Sequence, residues 1–101
     1  MENINVQQSV NLDEIHRRML LLKKKTSRTW SIETRLLHLG EEVGELFDIY
    51  LQYTGQKDRK QSLEDIEIAL NDVTDELFAL YDLFGIDIKV ALLKELKKNE
   101  S

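Results

Sequence analysis

Residues 32–53 read IETRLLHLGEEVGELFDIYLQY, and this stretch decides the fold. At about 100° per residue, Ile32, Leu36, Leu39, Val43, Leu46, Phe47 and Tyr50 fall on one broad face of a helix. Glu42 and Glu45 lie off that face, on consecutive turns. Ser31 is a good N-cap, Glu33 complements the positive end of the helix dipole, and Gly55 supplies a stop. The spacing therefore predicts a helix from Ile32 to about Tyr53.

The arrangement recurs downstream. Leu63, Ile66, Leu70, Val73, Leu77, Leu80, Tyr81 and Phe84 share one face of a second long helix, with Asp72 and Asp75 on the other side. Ser62 with Asp65 resembles a capping box with Asp in place of Glu, and Gly85 ends the helix. Two shorter helices flank this pair. One is expected from Leu12 to Lys25, capped by Asn11, with Leu12, Ile15, Met19 and Leu22 at helical steps. The other runs from Ile88 to Lys98, capped by Asp87. The run Lys23-Lys24-Lys25 suits the negative end of a helix dipole and reads as a solvated helix end. Thr26 to Trp30 and the charged stretch Gln56 to Gln61 are expected connections, and residues Met1 to Val10 a flexible arm.

Composition agrees with an all-α chain. Its 101 residues contain no proline and four glycines, fewer turn residues than a β-rich domain of this size uses. One domain, residues 1–101, is expected. The net charge of −5 disfavours general nucleic-acid binding, which requires a basic face. The absence of cysteine excludes disulfides and thiolate metal sites. Apolar runs are short and interrupted by charge, so neither a membrane segment nor a signal peptide is read, and a cytoplasmic protein is expected.

A pair of acids three residues apart is a common feature of solvated helices. The neighbours make these pairs different. Ile49 falls almost in line with Glu42 and Glu45, and Ile68 and Ala79 fall between Asp72 and Asp75. Both long helices are thus expected to be covered on two sides, as inner helices of a bundle or dimer. Four carboxylates gathered there would repel by several kcal/mol at an effective dielectric of about 20. Protonation or basic partners would offset this, but a divalent cation is the simplest answer. All-oxygen ligands suit Mg²⁺ or Mn²⁺. A di-iron bundle fares worse, since it needs Glu-x-x-His on two helices and Asp13-x-x-His16 is only a half-match with no second copy; no nucleophile elbow or phosphate-cradling glycine loop is present.

The string Glu41-Glu42-Val43-Gly44-Glu45-Leu46 resembles the first motif, Glu-x-x-Glu, of the MazG-like nucleotide pyrophosphohydrolases. Asp72-Val73-Thr74-Asp75 is similar to their second motif, Glu-x-x-Asp, with Asp72 where the family usually carries Glu. Gly85-Ile86-Asp87-Ile88 resembles the family's turn into its last helix, and Asn99 fits the asparagine near its end; the usual lysine four residues earlier is Glu95 here, with Lys94 and Lys98 nearby. The resemblance spans about residues 12–99. It implies a four-helix, bundle-like MazG fold with two long antiparallel central helices, completed by association into a homodimer or dimer of dimers. It also implies Mg²⁺-dependent hydrolysis of a nucleoside triphosphate, often a deoxy one, between the α- and β-phosphates.

In that reading Glu42, Glu45, Asp72 and Asp75 hold the metal and carry the chemistry, with Glu45 orienting the water. Lys94, Lys98 and Asn99 hold phosphate oxygens, across a subunit boundary, or else the lysines simply match the helix dipole. Arg35 contacts substrate or pairs with an acid. Trp30 either stacks on the base or anchors the start of its helix, and His38 is either a site residue or a satisfied structural histidine. Two other functions are compatible with the sequence: a non-catalytic helical module for nucleotide sensing or partner binding, and the related phosphoribosyl-ATP pyrophosphatase reaction.

Overall fold

The computed structural model describes residues 10–27, 30–56 and 61–100. They form four helices, α1 (Leu12–Ser27), α2 (Ile32–Tyr53), α3 (Leu63–Leu83) and α4 (Ile88–Glu100), with no strand among the described residues. Residues 1–9 of the expected arm Met1 to Val10, residues 28–29 of the first connection and residues 57–60, the charged centre of the second, lie outside the described residues.

The helix ends follow from local chemistry. Asn11 Oδ1 accepts the Glu14 amide at 2.9 Å, Ser31 Oγ accepts the Thr34 amide at 3.1 Å, and Asp87 Oδ1 accepts the Val90 amide at 3.0 Å. Ser62 and Asp65 form a reciprocal capping box. Gly55 and Gly85 follow the C-caps of α2 and α3 at φ +83° and +69°, a left-handed conformation that glycine adopts without a Cβ penalty. The next amides then reach back, Gln56 to the Leu51 carbonyl at 2.8 Å and Ile86 to that of Tyr81 at 2.9 Å. Helix α1 runs two residues beyond the expected end, to Ser27, with the Thr26 hydroxyl donating to the Lys23 carbonyl at 3.2 Å. Helix α4 likewise continues to Glu100.

Helices α2 and α3 form an antiparallel pair. Arg35 and His38 meet Glu76 near one end of the hairpin, and Gln61 donates to Gln52 at 2.6 Å near the other. Helix α1 packs on α3, and the α4 backbone approaches α3 alone. A side-chain pair between Lys89 and Asp13, 3.3 Å apart, ties the start of α4 to α1.

The face that packs overlaps the expected one only in part. On α2 the buried or half-buried positions are Ile32, Arg35, His38, Leu39, Glu42, Leu46, Asp48, Ile49, Leu51 and Gln52. Of the expected apolar face, Ile32, Leu39 and Leu46 are half-buried, but Leu36, Val43, Phe47 and Tyr50 are exposed, Phe47 by 65%. On α3, Leu63, Leu70, Leu77 and Phe84 are exposed, Leu63 by 68%, whereas Leu80 of the same expected face is buried and Ile66, Val73 and Tyr81 are half-buried; Ala69, Glu76 and Ala79 are buried as well. The expected cover of the acidic side holds at Ala79 and in part at Ile49; Ile68 is exposed. The physical reason is that α1 docks on the Asp75–Phe78–Asp82 side of α3, which lies roughly 135° around the helix from the leucine stripe. In an antiparallel hairpin the two open stripes then share the side away from α1. Among the described residues the buried apolar side chains are only Ala69, Ala79 and Leu80. A chain of this length gains little stability from so small a core. No helix among the described residues is long and apolar enough to cross a membrane.

Candidate functional site

Three helices converge on Glu76, whose side chain is 0% exposed. From α2, Arg35 Nη1 donates to Oε2 at 3.1 Å and His38 Nδ1 lies 3.0 Å from Oε1. From α1, Lys23 Nζ lies 3.0 Å from the same Oε1 and 2.9 Å from Oδ2 of Asp75. Helical spacing explains the convergence. Arg35, His38 and Glu42 recur at steps of three and four along the inner face of α2, and Glu76 shares the α3 stripe of Ala69, Val73 and Leu80. Burial alone would push the Glu76 carboxyl up. Hydrogen bonds from His38, Lys23 and Arg35 more than reverse that, and its pKa falls below the ordinary glutamate value. An ionised carboxylate only accepts, so His38 donates from Nδ1 to Glu76, and its Nε2 lies 3.9 Å from Glu42 Oε2.

Above this buried knot lie the acids expected to bind metal. Glu42, Asp72 and Glu45 share one electrostatic neighbourhood. The Glu42 carboxyl is raised above its ordinary value, first by burial, then by the charge of Asp72 across the hairpin, with Glu45 adding to it and His38 opposing. The fourth acid, Asp75, is turned to Lys23. A crevice of about 310 Å³ between α1 and α3 opens beside it, lined by Lys23, Thr26, Asn71, Asp72 and Asp75 among others.

The donor chemistry fits a hard divalent cation. Glu42, Glu45 and Asp72 offer only carboxylate oxygens, and Glu42 bears the cost of like charges brought together. The fit is one of donor type and charge. Among the described residues no three His, Asp or Glu side chains already stand at distances suited to sharing an ion, so closure on a cation requires side-chain rotation.

The remaining site candidates fall into two groups. Trp30, Arg35 and His38 are brought together. Arg35 lies over the Trp30 ring at 5.0 Å, and the His38 ring meets that indole edge-on at 5.1 Å. The structure thus gives Arg35 a buried acid partner and Trp30 an anchoring role at the start of α2. Lys94, Lys98 and Asn99 are exposed on α4, and Asn99 donates to Glu95 at 3.4 Å. Within one chain they are not brought to the carboxylates: α4 leaves the hairpin from the end of α3, and its backbone approaches that helix alone, while its first turn is tied to α1 through Lys89 and Asp13.

Two residues escaped the sequence reading. Glu76 was legible in principle as the single acid on an apolar stripe. Lys23 was taken as part of a solvated run, yet its side chain is only 16% exposed. It is Lys24, 61% exposed and 3.5 Å from Asp82, that keeps the expected character.

No protein-family model matches this chain, and no curated protein or solved structure matches it either.

Proposed function

We propose that the chain is a metal-assisted phosphoanhydride hydrolase. More particularly, we read it as a MazG-like nucleoside triphosphate pyrophosphohydrolase that cleaves between the α- and β-phosphates. The observation that carries this reading is Glu42, a half-buried acid with Glu45 on its own helix and Asp72 across the α2–α3 hairpin, made harder to ionise first by burial and then by these neighbours. Such a grouping costs folding free energy unless it binds something positive.

Glu42, Glu45 and Asp72, with Asp75 once it is released from Lys23, would hold Mg²⁺ or Mn²⁺. When bound, the cation neutralises phosphate charge and makes the α-phosphorus more electrophilic. Glu45 orients the attacking water and accepts its proton. The buried Glu76 knot fixes His38 and Arg35, and through them the inner face of α2, so that the acids are positioned before substrate arrives. Cleavage of the α–β bridge releases nucleoside monophosphate and pyrophosphate. Positioning and charge stabilisation do most of the work in phosphoryl transfer.

The open apolar stripes on α2 and α3 support a homodimer, or a dimer of dimers, in which a second hairpin covers Leu36, Phe47, Leu63 and Leu77. In such an assembly Lys94, Lys98 and Asn99 of one copy would serve the phosphates bound by the other.

A second reading has a specific motive. Asp72 is shorter than the family's glutamate and Asp75 is held by an ammonium group, which suits a nucleotide-sensing module that does not turn over. A panel of nucleoside triphosphates with Mg²⁺ or Mn²⁺ separates the two. Pyrophosphate release that disappears in Glu42→Gln, with helical circular dichroism retained, supports the hydrolase. Equal release by both proteins would reject the metal-site assignment.

A further inference from the structure

The four acids of the proposed metal site are not equivalent. Asp75 is the one held by an ammonium group, Lys23 Nζ lying 2.9 Å from its Oδ2. The same ammonium is 3.0 Å from Glu76 Oε1, and Glu76 is further secured by Arg35 and His38. Glu76 is therefore a fixed post for Lys23, while Asp75, 28% exposed, borders the α1–α3 crevice. An ammonium and a divalent cation seek the same carboxylate lone pairs, and at contact distance the two positive charges exclude one another.

We propose that Lys23 is a positioning residue that stands in for the cation on Asp75 and yields that carboxylate when the cation arrives. Nζ remains on Glu76 and turns its released donor into the crevice beside Thr26 and Asn71, where a phosphate oxygen is the natural acceptor. Metal and polyphosphate binding are thereby coupled through one side chain. The inference rests on the metal-assisted reading of the site, and goes beyond it by giving α1 a part in loading.

The test uses the full chain and Mn²⁺ alone as probe. Free Mn²⁺ is followed by electron paramagnetic resonance for wild type, Lys23→Met and Lys24→Met. Lys24 carries the same charge one residue away, on Asp82. In parallel, acetylation of each lysine in wild type is read by mass spectrometry with and without Mg²⁺ at constant ionic strength. Lys23→Met is expected to bind Mn²⁺ about fivefold more tightly, the size of a partly screened ion pair. Lys24→Met should bind as wild type does, and Mg²⁺ should speed acetylation of Lys23 but not of Lys24. Equal tightening in both variants would reduce the effect to long-range charge and overturn the proposal, as would Lys23 reactivity indifferent to bound Mg²⁺. The acetylation arm decides the matter even if Lys23→Met fails to fold. Mn²⁺ binding with an unresponsive Lys23 removes this proposal alone; no Mn²⁺ binding in any of the proteins removes the metal reading with it.

Discussion

Arg35 on α2 and Glu76 on α3 form a buried ion pair at 3.1 Å, with side chains 4% and 0% exposed. It joins the two long helices at the level where α1 also arrives. Removing one partner of such a pair strands the other's charge, which typically costs about 3–5 kcal/mol. Glu76→Gln keeps the shape but leaves Arg35 and Lys23 facing a neutral amide. Urea denaturation should therefore show a loss near the lower end of that range. A change under about 1 kcal/mol, the level of surface pairs, would contradict the buried knot.

Stability should also depend on pH, with two opposed contributions. Glu76 has a folded pKa below its ordinary value of 4.5. Its contribution is complete above that value and is lost as pH falls through the lower folded pKa. Glu42 has a folded pKa above 4.5. Its ionisation is disfavoured in the fold, so stability declines as pH rises through its window. Thermal melts of wild type should show acid unfolding that is reduced in Glu76→Gln. Glu42→Gln should lift stability near neutral pH relative to wild type. A Glu42→Gln protein less stable than wild type at pH 7 would refute the second assignment.

The exposed stripe Leu36, Val43, Phe47 and Tyr50, with Leu63, Leu70, Leu77 and Phe84, calls for a cover. Phe47→Glu combined with Leu77→Glu should convert a dimer or tetramer into monomer in light scattering and lower the melting temperature. Each buried phenylalanine or leucine side chain at an interface contributes roughly 1.5–3 kcal/mol. A wild-type protein already monomeric at micromolar concentration would leave no role for this face in self-association.

The helices and their ends were readable because capping is local. Asn11, Ser31, Ser62, Asp87, Gly55 and Gly85 each act within a few residues of their own backbone. The inward face was readable only in part. Periodicity located an apolar side on α2 and α3 correctly, but not which neighbour covers it, since Phe47 and Leu63 look like core residues whether the cover is α1 or another molecule. The pairs Glu42–Glu45 and Asp72–Asp75 were legible as repeated spacings. Their division was hidden, because Lys23 comes from 52 residues before Asp75 and no local pattern announces that contact.

The position of water attack distinguishes the proposed pyrophosphate-forming hydrolysis from every other fate of the nucleotide. The chain is incubated with Mg²⁺ and the common ribo- and deoxyribonucleoside triphosphates in oxygen-18 water, and the products are resolved by mass spectrometry. Attack at the α-phosphorus yields nucleoside monophosphate carrying the label and unlabelled pyrophosphate, and both products should be lost in Glu42→Gln. Nucleoside diphosphate with labelled phosphate, or no turnover of any of these nucleotides with either Mg²⁺ or Mn²⁺, would contradict it.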